Sequence, residues 1–351
     1  MLNGMATPAK RPPTAAPAGS KGGELALIQH IRSRSAAIRN AELRLGIGDD
    51  CAILRPRPGH EVVVTTDLSL EGRHFRRDWH PSASVGHRVL ARGLSDIAAM
   101  GATPLAAFLS LAVPKSVARD HRWLDGFLDG LLALAAPHHV PLAGGDTSEA
   151  PGDSIIADIM VLGSASRRKA LRRSGARPGD ILYCTGALGG SAAELAALAA
   201  SPRSFRRANA ADIHPHLYPQ PRLATGQALL RRNLATACID ISDGLSTDLT
   251  HLCEASGVSA ELNAASIPLH AASAKLTPEA RLEAALHGGE DYELLFTAAP
   301  GTRMPRSLGG VAIHAIGRIV PTRKGSAITL IADAGSRAPL LARGWEHFQQ
   351  P

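Results

Sequence analysis

Aspartate residues recur beside glycine or serine at the edges of apolar runs along most of this sequence. The segments LGIGDDCAI, EVVVTTD, LSD, LAGGD and IDISDG supply Asp49, Asp50, Asp67, Asp96, Asp146, Asp240 and Asp243. Any one of these aspartates is typical of a turn or a helix cap. Several carboxylates that converged on one site would repel one another unless cations lay between them. Such oxygen ligands suit Mg²⁺, which usually bridges carboxylates to substrate phosphates. The pattern therefore favours a metal-dependent enzyme that acts on phosphorylated compounds.

Helical and strand-like apolar patterns alternate along the chain, and some strands are consecutive. A length of 351 residues favours two domains. The pattern predicts an α+β first domain around a mixed sheet and an α/β second domain. We expect a disordered tail over residues 1–23, a first domain over 24–166 and a second over 167–351. In the first domain we predict a strand that ends at Asp67, a strand that ends just before Gly144, and a helix capped by Ser82 or Ser84.

Composition restricts the class of partner. The net charge is +7 and comes mostly from arginine, which can bind phosphate bidentately or can reflect codon usage. Nucleic-acid-binding proteins more often interleave basic residues with aromatic ones, and aromatic residues are only 3% of this chain. No apolar run is long and uncharged enough to cross a bilayer. We therefore expect a soluble protein with small phosphorylated substrates, without a nucleic-acid or membrane partner.

The four cysteines form no CxxC pair and no zinc-binding spacing. Cys184 and Cys238 lie in apolar runs typical of buried strands, which indicates reduced thiols and a cytoplasmic location. Cys51 follows Asp50 with no histidine at a suggestive spacing, so we interpret it as a packing residue.

Seven motifs together resemble one known family. GIGDDCA, TTD followed by EGRHF, LSDIAAMGA, LAGGDT, RRSGARPGD, IDISDGL and HGGEDYELLF occur in the order found in thiamine-monophosphate kinases. That family lies within the superfamily of aminoimidazole-ribonucleotide synthetase-like ATP-dependent enzymes. Single motifs such as GGD are weak signals, but seven in order are a strong one. The resemblance runs from Glu24 to Phe348.

The resemblance implies a role for particular residues. The positions that match metal ligands are Asp50, Thr65, Thr66, Asp67, Asp96, Asp146, Asp240 and Asp243, of which Asp67, Asp96, Asp146 and Asp240 are the expected catalytic residues. Gly145, Asp146, Arg173 and Ser242 match nucleotide contacts, and His74, Glu290 and Trp345 match substrate contacts. Asp49 is expected to hold its loop by accepting backbone hydrogen bonds. The chain departs from the family pattern at Gly93, where asparagine is frequent, and at Trp345, where tyrosine is frequent.

The resemblance also implies a reaction and an assembly. The γ-phosphoryl group of ATP would pass directly to thiamine monophosphate in an in-line, Mg²⁺-dependent step, giving thiamine diphosphate. The enzyme would be a homodimer whose first-domain sheets pair into a shared barrel. A sister ATP-dependent synthetase of the same superfamily and a Mg²⁺-dependent phosphatase remain the alternatives.

Overall fold

The computed structural model describes residues 24–323, 325, 327–332 and 335–345. The predicted disorder of residues 1–23 lies outside these ranges. The described elements form two domains, each built around its own mixed sheet. The sequence predicted two domains and a mixed sheet in the first. Within the described ranges no helix has the length and apolar character needed to cross a membrane.

The first domain combines a four-stranded sheet with two long helices on one of its faces. Its elements are α1 (Glu24–Ser35), β1 (Leu43–Leu45), β2 (Ile53–Leu54), β3 (His60–Leu70), α2 (Ser82–Ala99), β4 (Thr103–Val113), α3 (Lys115–Arg119), α4 (Arg122–Ala135), β5 (Leu142–Glu149) and β6 (Ile156–Ser166). The strand order is β3-β6-β4-β5, and only β4 and β5 are parallel. Apolar side chains of α2 and α4 pack with Ile159 and Val161 of β6 in one core. That core fixes α2 against the sheet.

The two faces of this sheet differ in exposure. Side chains of successive residues in a strand point to opposite faces. Ile159 and Val161 face the helices and are fully buried, whereas Val64 of β3 is 57% exposed and Leu68 is 47% exposed. Met160 lies across from Thr66 on this same open face. The first domain thus presents an uncovered, partly apolar sheet surface.

The second domain is built around an eight-stranded sheet. Its elements are β7 (Ile181–Thr185), α5 (Gly190–Ala200), α6 (Leu223–Arg231), β8 (Ala237–Ile241), α7 (Leu245–Ser256), β9 (Ser259–Asn263), α8 (Pro278–His287), β10 (Glu293–Ala298), β11 (Ser307–Leu308), β12 (Val311–Val320), β13 (Ile328–Ile331) and β14 (Arg337–Leu340). The order is β14-β13-β9-β12-β7-β10-β8, with β11 paired to β12. In the part of this domain that the structure describes, only β13 and β9 are parallel neighbours, which makes this sheet mixed as well. Strand β8 lies at one edge of this sheet, and its Asp240 accepts a hydrogen bond from Ser95 of α2 in the first domain.

Several local predictions were wrong. Strand β3 continues three residues beyond Asp67, and Gly144 and Asp146 lie inside β5 because that strand pairs with β4 over its whole length. Pro81 occupies the N-cap position of α2, and no side chain caps the helix by a hydrogen bond. Cys51 is exposed, so it is not a packing residue, while Cys184 and Cys238 are buried free thiols as expected.

Candidate active site

A cavity of about 630 Å³ lies between the two domains. The first domain contributes β3, α2 and the segment 72–80 to its wall. The second domain contributes the start of α5, the loop after β8 and the segment 289–292, and the C-terminal segment reaches the cavity through Trp345. Residues far apart in sequence therefore line one open cleft, as is usual for binding sites at domain junctions.

Four carboxylates line one part of the cavity, which we call the acidic part: Asp67, Asp96, Asp240 and Asp243. Burial raises the pKa of Asp67 to about 6, although the nearby Arg92 guanidinium opposes this shift. Burial also raises the pKa of Asp96 and of Asp240, and the negative charge of Asp96 adds to the shift at Asp240. Carboxylates in this state bind cations readily, because a cation removes both the repulsion and the desolvation penalty.

Two hydroxyl groups donate hydrogen bonds to carboxylates of the acidic part, and the charge of one nearby arginine acts on the same carboxylates. The Ser95 hydroxyl donates to Asp240 Oδ2 at 2.7 Å, and the Thr65 hydroxyl donates to Asp96. The positive charge of Arg173 opposes the rise in pKa that burial causes at both aspartates, so Arg173 lies near them although it does not line the cavity.

A tight turn after β8 carries Ser242 and Asp243, which both line the cavity. The backbone N–H groups of Ser242, Asp243 and Gly244 all donate to Oδ2 of the buried Asp248, at 3.1, 3.1 and 3.0 Å. One carboxylate oxygen of α7 thereby fixes three successive peptide units. Asp248 positions the turn without contacting the cavity itself.

Another part of the cavity, which we call the histidine part, is organised around Glu290. Arg88 Nη2 donates to both carboxylate oxygens of Glu290, at 2.8 and 2.6 Å, and Arg88 Nη1 donates to the backbone oxygen of His74 at 2.9 Å. Burial alone would raise the pKa of Glu290, but the charges of Arg88, of His216 when it is protonated and of Arg92 outweigh burial and lower the pKa to about 2. Glu290 is therefore ionised at neutral pH and paired with Arg88.

Two buried histidines extend this network. His216 Nδ1 lies 3.4 Å from Glu290 Oε2 and 3.1 Å from Ser191 Oγ, and His216 Nε2 lies 3.1 Å from His80 Nε2. Burial and then the charge of Arg88 lower the pKa of His80 to about 4 and that of His216 well below its usual value. Both rings are neutral at physiological pH, so one donates to the other, and the pair supports Glu290 without adding charge.

The backbone around Glu290 is strained. Glu290 has φ of 64° and Tyr292 has φ of 51°, both in the left-handed region that non-glycine residues rarely adopt. Hydrogen bonds from Glu290 N to Ser242 O at 2.7 Å and from Tyr292 N to Ile241 O at 2.9 Å hold the segment against the end of β8. Strain that is maintained in this way is typical of functional segments.

The C-terminal segment docks onto the turn after β8. Trp345 N donates to Asp243 O at 3.0 Å, and Gly344 N donates to Thr247 Oγ1 at 3.0 Å. A Cβ atom at Gly344 would lie 2.0 Å from Asp243 O, so only glycine permits this approach. The docked segment brings the half-exposed Trp345 ring to the cavity wall.

The structure brings together most of the residues singled out in the sequence. Those that line the cavity are Asp67, His74, Asp96, Asp240, Ser242, Asp243, Glu290 and Trp345. The Thr65 hydroxyl bonds to Asp96, and Arg173 is close enough for its charge to act on Asp96 and Asp240. Asp50, Thr66, Gly145 and Asp146 do not line it. Asp50 is exposed and donates its N–H to Asp49 Oδ1 at 2.9 Å, the type of contact expected of Asp49. Asp146 pairs in register with Ser110 on the open face of the sheet, opposite to the face of Asp67.

Comparison with known proteins decides the family. The family profiles of AIR synthase related protein match residues 48–165 (N-terminal domain) and 177–328 (C-terminal domain). The thiamine-monophosphate kinase of Escherichia coli strain K12 is 39% identical over 338 residues, which are 94% of this chain and 99% of that enzyme. The chain belongs to the thiamine-monophosphate kinase family.

Solved structures of relatives agree with this assignment. The crystal structure of thiamine-monophosphate kinase from Stenotrophomonas maltophilia K279a is 35% identical, has a TM-score of 0.75, and covers 89% of this chain and 97% of its own. AaThiL complexed with AMPPCP and TMP is 29% identical with a TM-score of 0.70, and covers 93% and 97%. The resemblance noted in the motifs is confirmed, and this member of the kinase family is an enzyme.

The fit of Mg²⁺ to this kinase depends on the carboxylate arrangement. Within the described ranges, no group of three or more His, Cys, Asp or Glu side chains is arranged so that the protein alone could hold a metal ion. Mg²⁺, however, usually binds to one or two carboxylates together with substrate phosphates and water. The hard oxygens of Asp67, Asp96 and Asp240, with pKa values raised by burial, fit an ion held in this shared manner.

One departure from the family pattern has a structural reason. A Cβ atom at Gly93 would lie 2.6 Å from Val161 Cγ2, so α2 approaches β6 too closely for a side chain there. Gly93 thus allows α2, the helix that carries Ser95 and Asp96, to pack closely against β6.

Sequence reasoning missed Arg88, Arg92, His80, His216 and Asp248. Arg92 lies in the segment ARGLSD and Asp248 in SDGLSTD, directly beside motifs that were recognised. This proximity could have indicated that both residues belong to the site. Nothing in the spacing indicated that His80 and His216, which are 136 residues apart, would meet.

Proposed function

We propose that this chain transfers the γ-phosphoryl group of ATP to thiamine monophosphate in a Mg²⁺-dependent, in-line step. The observation that carries the proposal is that one cavity joins an acidic part suited to metal-bound phosphates with a histidine and aromatic part suited to an organic ring system. Membership in the kinase family and the AMPPCP and TMP complex of a relative support the choice of substrates.

The reaction needs little acid–base chemistry from the protein. A phosphate monoester has a second pKa of about 6, so the acceptor is largely dianionic at neutral pH. One of its oxygens forms a bond to the γ-phosphorus of ATP, and the bond from that phosphorus to the β–γ bridging oxygen breaks. ADP leaves with the bridging electron pair, and total charge is conserved without proton transfer. Catalysis then depends on bringing two anions together and positioning them.

The acidic part of the cavity has the residues for that task. Asp67, Asp96, Asp240 and Asp243, which line the cavity, would hold the metal. The resemblance also implies Asp50, Thr65, Thr66 and Asp146 as ligands, but Asp146 lies on the face of the sheet opposite to Asp67. When bound, Mg²⁺ would neutralise phosphate charge and orient the reacting groups. Gly145, Asp146, Arg173 and Ser242 are the proposed nucleotide contacts.

The other part of the cavity would bind thiamine. Glu290, which is ionised and paired with Arg88, would place a carboxylate near a ligand that carries a fixed positive charge, and Arg88 also holds the backbone of His74. Trp345 lies at the wall with its ring half exposed. An indole face over a cationic ring contributes about 0.5–2 kcal/mol, depending on desolvation.

We further propose a homodimer formed through the open face of the first-domain sheet. Val64 and Leu68 are exposed on this face. Thr66 lies between them on β3, and Asp146 lies on the same face on β5. An uncovered apolar sheet face of this kind is typical of an interface.

Light scattering should give a dimer, and Val64→Asp should give a monomer. Ile213→Asp, at an apolar residue that is 85% exposed in the second domain, is the control and should remain dimeric. A fully active wild-type monomer would contradict the proposal.

The acceptor specificity tests the proposed function. Purified protein with ATP and Mg²⁺ should be incubated with thiamine monophosphate, thiamine, nucleoside monophosphates and phosphorylated sugars. We expect ADP formation with thiamine monophosphate alone, and none after chelation of divalent cations. Equal ADP formation without any acceptor would instead indicate a phosphatase.

A further inference from the structure

Arg92 lies at the point where the two parts of the cavity meet. It is on α2, four residues before Asp96, so both side chains lie on the same face of the helix. Its guanidinium reaches Asp67 in the acidic part, and its charge also acts on Glu290 and Tyr292 in the opposite wall. The side chain is 19% exposed, and that exposure is toward the cavity.

The hydrogen-bonding capacity of Arg92 is largely unused. A guanidinium has five N–H donors. Among the described residues, Arg92 makes one hydrogen bond, from Nη2 to Asp67 Oδ1 at a long 3.3 Å, and its buried Nη1 has no partner. A buried charged donor without a partner is costly. Arg88, one turn earlier on the same helix, donates three hydrogen bonds to Glu290 and His74 through Nη1 and Nη2, and among the described residues only its Nε lacks a partner. Arg92 is therefore placed to bind a ligand, whereas Arg88 holds Glu290 and the backbone of His74 in position.

We propose that Arg92 binds the phosphate of thiamine monophosphate and holds it in place as it attacks ATP. This inference rests on the proposed function. If the ring system occupies the histidine part and the ATP phosphates occupy the acidic part, the acceptor phosphate must lie between them, where Arg92 is. The planar guanidinium matches two phosphate oxygens, and its charge reduces the repulsion between the two anionic substrates. A purely structural Arg92 would serve only to neutralise Asp67.

Ligand truncation separates these two roles. The dissociation constants of thiamine monophosphate and of thiamine, which lacks the phosphate, should be measured by calorimetry without ATP for the wild type and for Arg92→Gln and Arg92→Lys. We expect Arg92→Gln to weaken binding of thiamine monophosphate about 10- to 100-fold and to change that of thiamine less than about twofold. Arg92→Lys, which keeps the charge but loses the planar fork, should lie between Arg92→Gln and the wild type. Arg122→Gln, at an exposed arginine of α4, is the control and should bind both ligands as the wild type does.

The results distinguish this inference from the proposed function. If wild-type protein phosphorylates thiamine monophosphate but Arg92→Gln weakens both ligands equally, or weakens neither, Arg92 does not bind the phosphate and the inference alone fails. If the wild type does not phosphorylate thiamine monophosphate, the proposed function fails first. Unfolding temperatures within a few degrees of the wild type for both variants would show that the affinities report the site and not the fold.

Discussion

Ser95 of the first domain donates a hydrogen bond to Asp240 of the second domain, with 2.7 Å between Ser95 Oγ and Asp240 Oδ2. Both groups are buried, and the bond joins α2 to the end of β8 at the acidic part of the cavity. The same helix carries Asp96. One hydroxyl therefore sets the position of a carboxylate on one domain relative to a carboxylate on the other.

Ser95→Ala should lower kcat/KM about tenfold and the free energy of unfolding by about 1–2 kcal/mol, because the buried Asp240 loses a hydrogen-bond donor. Steady-state kinetics and denaturant unfolding would measure the two effects. Ser84→Ala is a matched control on the same helix, since Ser84 Oγ is buried without a partner among the described residues. It should be neutral or slightly stabilising, and an equal loss of activity in both variants would contradict the account.

Asp67→Asn and Asp96→Asn should each remove nearly all turnover while the protein stays folded. Each change removes a charged oxygen ligand, but burial already disfavours the ionised carboxylates, so the neutral amides should be tolerated by the fold. Turnover at saturating Mg²⁺ and circular dichroism would be compared with the wild type. Full activity in both variants would overturn the proposed metal-binding role.

Trp345→Ala should raise KM for thiamine monophosphate several-fold and leave KM for ATP nearly unchanged, because the ring lines the cavity. Gly344→Ala should have the same effect without removing the indole, since its Cβ would collide with Asp243 O and displace the segment. Gly152→Ala, where a Cβ meets nothing within 4 Å, serves as the control. A lower melting temperature with unaltered KM values would show that Trp345 only anchors the C-terminal segment.

Helices and strands could be predicted from the sequence where apolar residues recur with a clear period. They were harder to predict where strand pairing determines the structure against the local propensity of the residues. The strand of β5 could not be bounded from sequence, because Gly144 and Gly145 have low strand propensity and are held by pairing with β4. Strand β14 was missed, since the segment RAPL contains proline and lies at a sheet edge.

The site was predictable only in part, for a related reason. The aspartates stand in recognisable local motifs, so their types and order could be read directly. Contacts such as His80 with His216, or Arg88 with Glu290, join residues more than a hundred positions apart, and no local pattern records them. The face to which Asp146 points also depends on sheet register, which sequence spacing did not provide.

Glu261 predicts how stability depends on pH. It is 2% exposed on β9 and receives hydrogen bonds from Arg318, Arg323 and Arg337 at 2.7–2.8 Å. Burial alone would raise its pKa, but the three arginines outweigh burial and lower the pKa to about 2. A carboxylate with a lowered pKa stabilises the folded state above its unfolded-state pKa of about 4.5, and this contribution is lost as pH falls toward about 2.

Glu261→Gln should therefore destabilise the protein at pH 7 by on the order of 2–3 kcal/mol and flatten the loss of stability below about pH 4.5. Denaturant unfolding between pH 2 and pH 7 would measure both effects. Glu254→Gln, at an exposed glutamate of α7, should change stability by less than about 0.5 kcal/mol at each pH. If the free energy of unfolding of Glu261→Gln fell below about pH 4.5 as steeply as that of the wild type, the three arginines would not stabilise the fold through this carboxylate.

The destination of the γ-phosphoryl group of ATP distinguishes a thiamine-monophosphate kinase from a phosphatase. ATP labelled in its γ-phosphate should be incubated with thiamine monophosphate, Mg²⁺ and the protein, and all labelled products should be separated. We predict that the label appears in the terminal phosphate of thiamine diphosphate, one label for each ADP formed. Label in inorganic phosphate, with ADP formation independent of thiamine monophosphate, would contradict the account.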